Sequence, residues 1–88
     1  MSDQQQAAYE LLQDIVGQLA DRPDDVHIEK HETEHAVMCE IHVHDSDVGK
    51  VLGKRGDYAD ALRTLFGAIY GKHKKSLHLV VVDPRHRR

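Results

Sequence analysis

Two glycines enclosing two cations, Gly53-Lys54-Arg55-Gly56, are the residues of this chain whose types and spacing best suit a chemical task. Glycine adopts backbone conformations with φ > 0 and has no side chain to hold a second backbone away. Lys54 and Arg55 put two adjacent positive charges at the tip of a sharp turn. Asp57, just beyond, can cap a following helix whose first N–H groups and positive dipole end point toward the same spot. Together these residues describe a corner that binds phosphate without making or breaking a bond.

Other phosphate loops do not fit. A Walker loop needs four residues between its glycines and then Lys-Ser/Thr, whereas Gly49 and Gly53 enclose three and Arg55 stands where the hydroxyl would be; a dinucleotide fingerprint needs G-x-G-x-x-G directly after a strand. No nucleophile–base pair, carboxylate dyad or metal triad can be placed together from the sequence, so an enzyme is not expected. The eight histidines raise the question of metal. His27, His31, His42 and His44 should share one strand face with Glu29 and Glu40, yet solvent-facing polar residues on an open sheet have this pattern too, and no Cys or carboxylate spacing of a known structural site accompanies them. The expectation is no metal and no cofactor; titration of these histidines below pH ~6.5 would make the acidic half less repulsive to a polyanion.

The corner needs helices on both sides. Val48, Val51 and Leu52 recur at helical spacing before Gly53, and Tyr58, Ala59 and Leu62 resume it after Gly56. Asp45-Ser46-Asp47 should cap the first of these helices, with Lys50 on its exposed side one turn before the tip. The second runs from 57 to about 72 and is apolar over roughly 200° at 100° per residue. Ala59, Leu62, Phe66, Ile69 and Tyr70 form one stripe; Tyr58, Ala61, Leu65 and Ala68 form its neighbour. Gly71 and the cations Lys72, Lys74 and Lys75 should close it. An earlier helix spans 3–20, with Ala7, Leu11, Leu12, Ile15, Val16 and Leu19 on its apolar side. Alternation gives strands at 26–31, 35–44 and 76–83, with a turn at Glu32-Thr33-Glu34. Cys39 falls on the buried face, where no cation would activate its thiol.

Val51-Leu52-Gly53-Lys54-Arg55-Gly56 resembles the G-x-x-G motif of the K-homology (KH) domain, whose loop clamps the backbone of about four nucleotides. With Asp45-Ser46-Asp47-Val48-Gly49-Lys50 before it and Ala61-Leu62-Arg63-Thr64-Leu65 after it, the chain is similar to the small bacterial single-KH RNA-binding proteins, from about residue 11 to 83. The resemblance implies an α+β fold of type II: α-β-β-α-α-β, a three-stranded mixed sheet with three helices on one face. It also implies a binding module for single-stranded RNA, in post-transcriptional regulation or RNA chaperoning. Lys50, Gly53, Lys54, Arg55 and Gly56 would then hold the sugar-phosphate chain, while Val48, Val51 and Leu52 line a groove for unstacked bases. For the stripe Tyr58, Ala61, Leu65 and Ala68, packing beneath the first helix or the Val48-Leu52 turn and meeting a second copy both remain open; the resemblance favours a homodimer, or a heteromer with a larger KH-containing partner. The rival reading is an assembly module in which nucleic acid is secondary, and single-stranded DNA stands beside RNA as a ligand.

Length and charge are consistent with this. Eighty-eight residues suffice for one small core, so 1–88 is expected to be one domain, ordered over about 5–83, with a basic tail at 84–88. The net charge is −3, but residues 1–47 carry two cations against twelve carboxylates and residues 48–88 ten against three. A positive footprint confined to the second half is what a polyanion would meet. A single cysteine fits a reducing compartment, and without a long apolar run the expectation is a soluble cytoplasmic protein with no membrane partner.

Overall fold

The computed structural model describes residues 3–83, so the basic tail expected at 84–88 lies outside the described residues. Helix α1 is Asp3–Leu19; strands β1 (His27–Glu32) and β2 (Ala36–His42) follow, then helix α2 (Val48–Leu52), helix α3 (Asp57–Gly71) and strand β3 (Ser76–Val81). β2 is central, antiparallel to β1 and parallel to β3. Parallel neighbours need a crossover, which α2 and α3 provide. The order and the mixed sheet are those that the type II resemblance implies.

Strand parity decides which side carries the core. Ile28, Val37, Cys39, Ile41, Leu79 and Val81 are buried on one face of the sheet, where Ala8, Leu12 and Val16 of α1, Val48 and Val51 of α2, and Ala59, Leu62, Phe66 and Tyr70 of α3 join them. His27, Glu29, His31, Met38, Glu40 and His42 alternate with the buried set and occupy the opposite, open face. Cys39 is fully buried and its thiol is pushed up by that burial, so it is a small core residue. In α1, Leu12 and Val16 are buried and Ile15 and Leu19 pack against the core as the periodicity predicts, but Ala8 is buried in place of Ala7 and Leu11 is exposed.

Side chains occupy backbone acceptors on both outer strands. The Tyr9 hydroxyl donates to the Ile28 carbonyl (2.7 Å), and Arg63 Nε donates to the Leu79 carbonyl (2.9 Å). Such covering blunts sheet edges that could otherwise pair with another chain. The hairpin closes at 33–36, where the Thr33 amide donates to the Ala36 carbonyl and the Thr33 hydroxyl accepts from the Ala36 amide. β2 and β3 are shorter than alternation alone suggests and β1 lies one residue later, and His44 stands at the N-cap of a 3-10 turn after β2, where its Nδ1 accepts from the Ser46 amide.

Candidate nucleic-acid interface

The corner between α2 and α3 is a sharp turn in which three of four residues have positive φ. Gly53 has φ 80° and ψ 172°, Arg55 has φ 59° and ψ 21°, and Gly56 has φ 79° and ψ 16°. A glycine adopts such angles freely, but Arg55 is an L-residue in the left-handed region, which costs about 1–2 kcal/mol. Strain of this kind is found where a loop has a task. Lys54 and Arg55 are both exposed at the tip.

The loop's hydrogen bonds say which amides are left for a ligand. The Gly53 N–H donates to the Gly49 carbonyl, the Gly56 N–H to the Gly53 carbonyl, and the Asp57 N–H to the Lys54 carbonyl. Lys54 and Arg55 begin the 3-10 turn, where amides have no earlier turn to bond to. Neither cationic residue's amide has a partner among the loop bonds of the described residues, and the glycines shape the turn around them.

Gly53 is required for a second reason. A Cβ there would lie 2.6 Å from Tyr58 Cγ and 2.7 Å from the Tyr58 backbone nitrogen, whereas one on Gly56 would meet nothing within 4 Å. The Tyr58 ring therefore packs against the loop while remaining 52 % exposed. Of the chain's three tyrosines and one phenylalanine, it alone combines large exposure with a place at this corner. Sequence periodicity assigns it to the second stripe of α3, and nothing in spacing reveals its contact with Gly53.

Several side chains sit elsewhere than expected. Val48 and Val51 are fully buried in the core, so neither lines a groove; only Leu52, half-buried, offers apolar surface at this corner. The reason is the shortness of α2, whose apolar face must fill the gap between α1, α3 and the sheet. Lys50 Nζ lies 3.4 Å from Asp21 Oδ2 in an exposed pair and is turned to that carboxylate. Such a pair is worth little and can exchange for phosphate. Asp57 is the first residue of α3 and makes no capping bond; Gly56 stands at the N-cap, and Asp57 and Asp60 instead place negative charge in the first turn. Tyr58, Ala61, Leu65 and Ala68 are all exposed, which leaves the second stripe of α3 uncovered within one copy.

Asp47 replaces local capping with a tertiary tie that was not legible from spacing. Its carboxylate is buried and accepts from the Arg22 amide at 2.9 Å, fastening the segment after α1 to the start of α2. Burial pushes the carboxyl up, but the Arg22 and Asp21 amides with Lys50 and His44 hold it, on balance, below the ordinary aspartate range. Among the described residues no pocket indents the surface, and no helix is long and apolar enough to cross a membrane.

The model of the KhpA/KhpB KH-domain family matches residues 9–81. The RNA-binding protein KhpA of Halalkalibacterium halodurans is 40% identical over 73 residues, 83% of this chain and 96% of that relative. The proteins of the same name from Borreliella burgdorferi and Streptomyces coelicolor are each 40% identical over 74 residues, 84% of this chain and 90% and 92% of theirs. No solved structure matches the chain. The family is not one of enzymes. With its α-β-β-α-α-β order, its mixed sheet and its Gly53-Lys54-Arg55-Gly56 corner, the chain belongs to the KhpA/KhpB family of KH domains.

Proposed function

We propose that the chain binds single-stranded RNA and holds its sugar-phosphate backbone at the Gly53-Lys54-Arg55-Gly56 corner. The observation that carries this reading is the strained turn itself: two glycines at positive φ flank a cationic tip whose Arg55 is kept in the left-handed region. The amides of Lys54 and Arg55, which make no loop bond among the described residues, their charges and the N-terminus of α3 would together receive a phosphate. Its curated relatives bear the name RNA-binding protein. Gly53 and Gly56 admit the strand, Leu52 borders the bases, and Lys50 joins once Asp21 is exchanged. Phosphate contacts carry little sequence information, so binding is weak and of low specificity, as suits RNA chaperoning or broad post-transcriptional regulation in the cytoplasm. The domain extends over 1–88, with the tail at 84–88 adding nonspecific contact.

The test is binding of a short single-stranded RNA to the Lys54→Asp/Arg55→Asp variant. Affinity should fall at least about tenfold while circular dichroism stays that of the wild type. Unchanged affinity in a folded variant would sink the assignment, and an equal preference for single-stranded DNA would widen it.

A second reading concerns assembly and rests on a separate observation: Tyr58, Ala61, Leu65 and Ala68 form an exposed apolar stripe on α3, with Leu65 53 % exposed at its middle. Exposed apolar stripes mark association surfaces. In this reading a symmetric homodimer, or a pair with a larger KH-containing protein, covers the stripe and brings two loops to one RNA at raised effective concentration. Light scattering on Leu65→Asp should report a lower mass than the wild type for a self-assembling chain; equal masses would exclude the homodimer.

A further inference from the structure

The open face of the β1–β2 hairpin carries a group of side chains that the corner does not use. His27, Glu29 and His31 of β1 stand beside Glu40 and His42 of β2, and the register sets His27 opposite His42 and Glu29 opposite Glu40. Two carboxylates directly opposed across a ladder repel. Here the imidazoles surround them. His31 Nε2 lies 3.9 Å from Glu29 Oε1 and 3.8 Å from Glu40 Oε1, His27 Nε2 lies 3.6 Å from Glu29 Oε2, and His42 Nε2 lies 3.7 Å from Glu40 Oε1. His42 Nε2 is buried and has no hydrogen-bond partner among the described residues, and the His27 and His42 rings are 5.9 Å apart.

We propose that Glu29, His31 and Glu40 form a site for Zn2+ on this face. One ligand atom from each lies within 4.8 Å of the other two. Around a tetrahedral Zn2+ with bonds of about 2.1 Å the ligand atoms stand roughly 3.4 Å apart, so closing the site asks for tenths of an ångström at the two histidine edges, 3.9 and 3.8 Å, with the carboxylates already within 4.8 Å of each other. Glu29 and His31 are exposed and free to make that adjustment. The fourth position falls to water or to His42, whose nitrogen shares the same Glu40 oxygen.

The donor set selects the ion. An imidazole nitrogen disfavours Mg2+ and Ca2+, which take oxygen, while one nitrogen and two carboxylates in a tetrahedral arrangement suit Zn2+; Cu2+ and Ni2+ favour tetragonal geometry instead. The two positive charges of the ion relieve the Glu29–Glu40 repulsion and clamp β1, an outer strand, to the centre of the sheet. Because the helices cover the opposite face, the site is independent of the Gly53-Lys54-Arg55-Gly56 corner, and neither proposal falls with the other.

The experiment is calorimetric titration of the untagged full chain with ZnCl2 in a non-coordinating buffer, paired with thermal melts. One ion should bind with a dissociation constant on the order of micromolar and raise the melting temperature, reversibly on adding a chelator. His31→Gln and Glu40→Gln should each weaken binding at least about tenfold, while His35→Gln and His73→Gln, outside the group, leave it unchanged. All four positions are at or near the surface, and melts without metal verify folding. No heat of binding up to about a hundred times that concentration overturns the proposal. So does binding that survives His31→Gln and Glu40→Gln, since the ion would then sit elsewhere.

Discussion

Gly53 and Gly56 share a positive φ yet differ in what surrounds them, and that difference separates their mutants. Alanine at 56 meets only the intrinsic cost of the left-handed region, about 1 kcal/mol, because its Cβ has open space. Alanine at 53 meets a larger cost, because φ 80° with ψ 172° lies in a region essentially closed to L-residues, and also the Tyr58 backbone nitrogen at 2.7 Å, which cannot swing aside as a side-chain tip would. Gly53→Ala should therefore destabilise by more than about 2 kcal/mol, and Gly56→Ala by about half of that. Urea midpoints measure both; equal losses would mean that neither the Tyr58 approach nor the extended ψ at Gly53 carries energy. The G-x-x-G spacing and its cations were legible in the chain because composition alone specifies them. That Lys50 pairs with Asp21, that Tyr58 leans on Gly53 and that Asp47 reaches the Arg22 amide were not. Each joins residues whose contact depends on tertiary placement, and no periodicity encodes it.

At the scale of the element, the end of α3 shows how a local rule can be displaced. Gly71 is the last residue of the helix, as expected, but the left-handed residue that a glycine usually supplies is Lys74, with φ 61°. The Lys75 amide bonds back to the Tyr70 carbonyl and the Lys74 amide to the Gly71 carbonyl, the paired bonds of a Schellman cap with lysine where glycine usually stands. Lys74→Gly should accordingly stabilise the fold by about 0.5–1 kcal/mol, read as a higher urea midpoint; a loss would show that the Lys74 side chain matters more than its backbone. The next residue explains why the chain turns here. Lys75 donates to Glu32 and, at 2.8 Å, to the Thr33 carbonyl, joining β3 to the hairpin turn with side chains only 15 % and 24 % exposed. The hydrogen bond from Lys75 holds the Glu32 carboxyl below its ordinary value of about 4.5, against the opposing effect of desolvation. A depressed carboxylate contributes stability that is present above that value and lost as pH falls through the folded one. Lys75→Met should cost about 1–2 kcal/mol at neutral pH and flatten the fall in stability below pH ~4.5. An unaltered acid profile would deny the linkage.

Across the whole molecule, charge and surface divide by face. The carboxylate-rich first half supplies the open side of the hairpin, and the cation-rich second half supplies the corner between α2 and α3. The topology was readable because alternation marks strands, glycines mark the turn, and a right-handed crossover leaves few arrangements for two helices between parallel strands. The assignment of Val48 and Val51 to a groove failed for a reason of scale: an apolar residue next to a binding motif is equally a core residue, and a domain this small needs both of them inside. The stripe on α3 was legible as an excess of apolar arc. Its exposure was not, since only the packed chain says which helix could have covered it.

The central claim is that Lys54 and Arg55 neutralise phosphates of a bound strand, and the salt dependence of binding tests it most directly. For a short single-stranded RNA, log K against log salt should fall with a slope of about −0.7 per phosphate neutralised. Replacing both residues in Lys54→Gln/Arg55→Gln should make that slope shallower by about 1.4. A folded double variant with the wild-type slope would place the phosphates elsewhere and contradict the account.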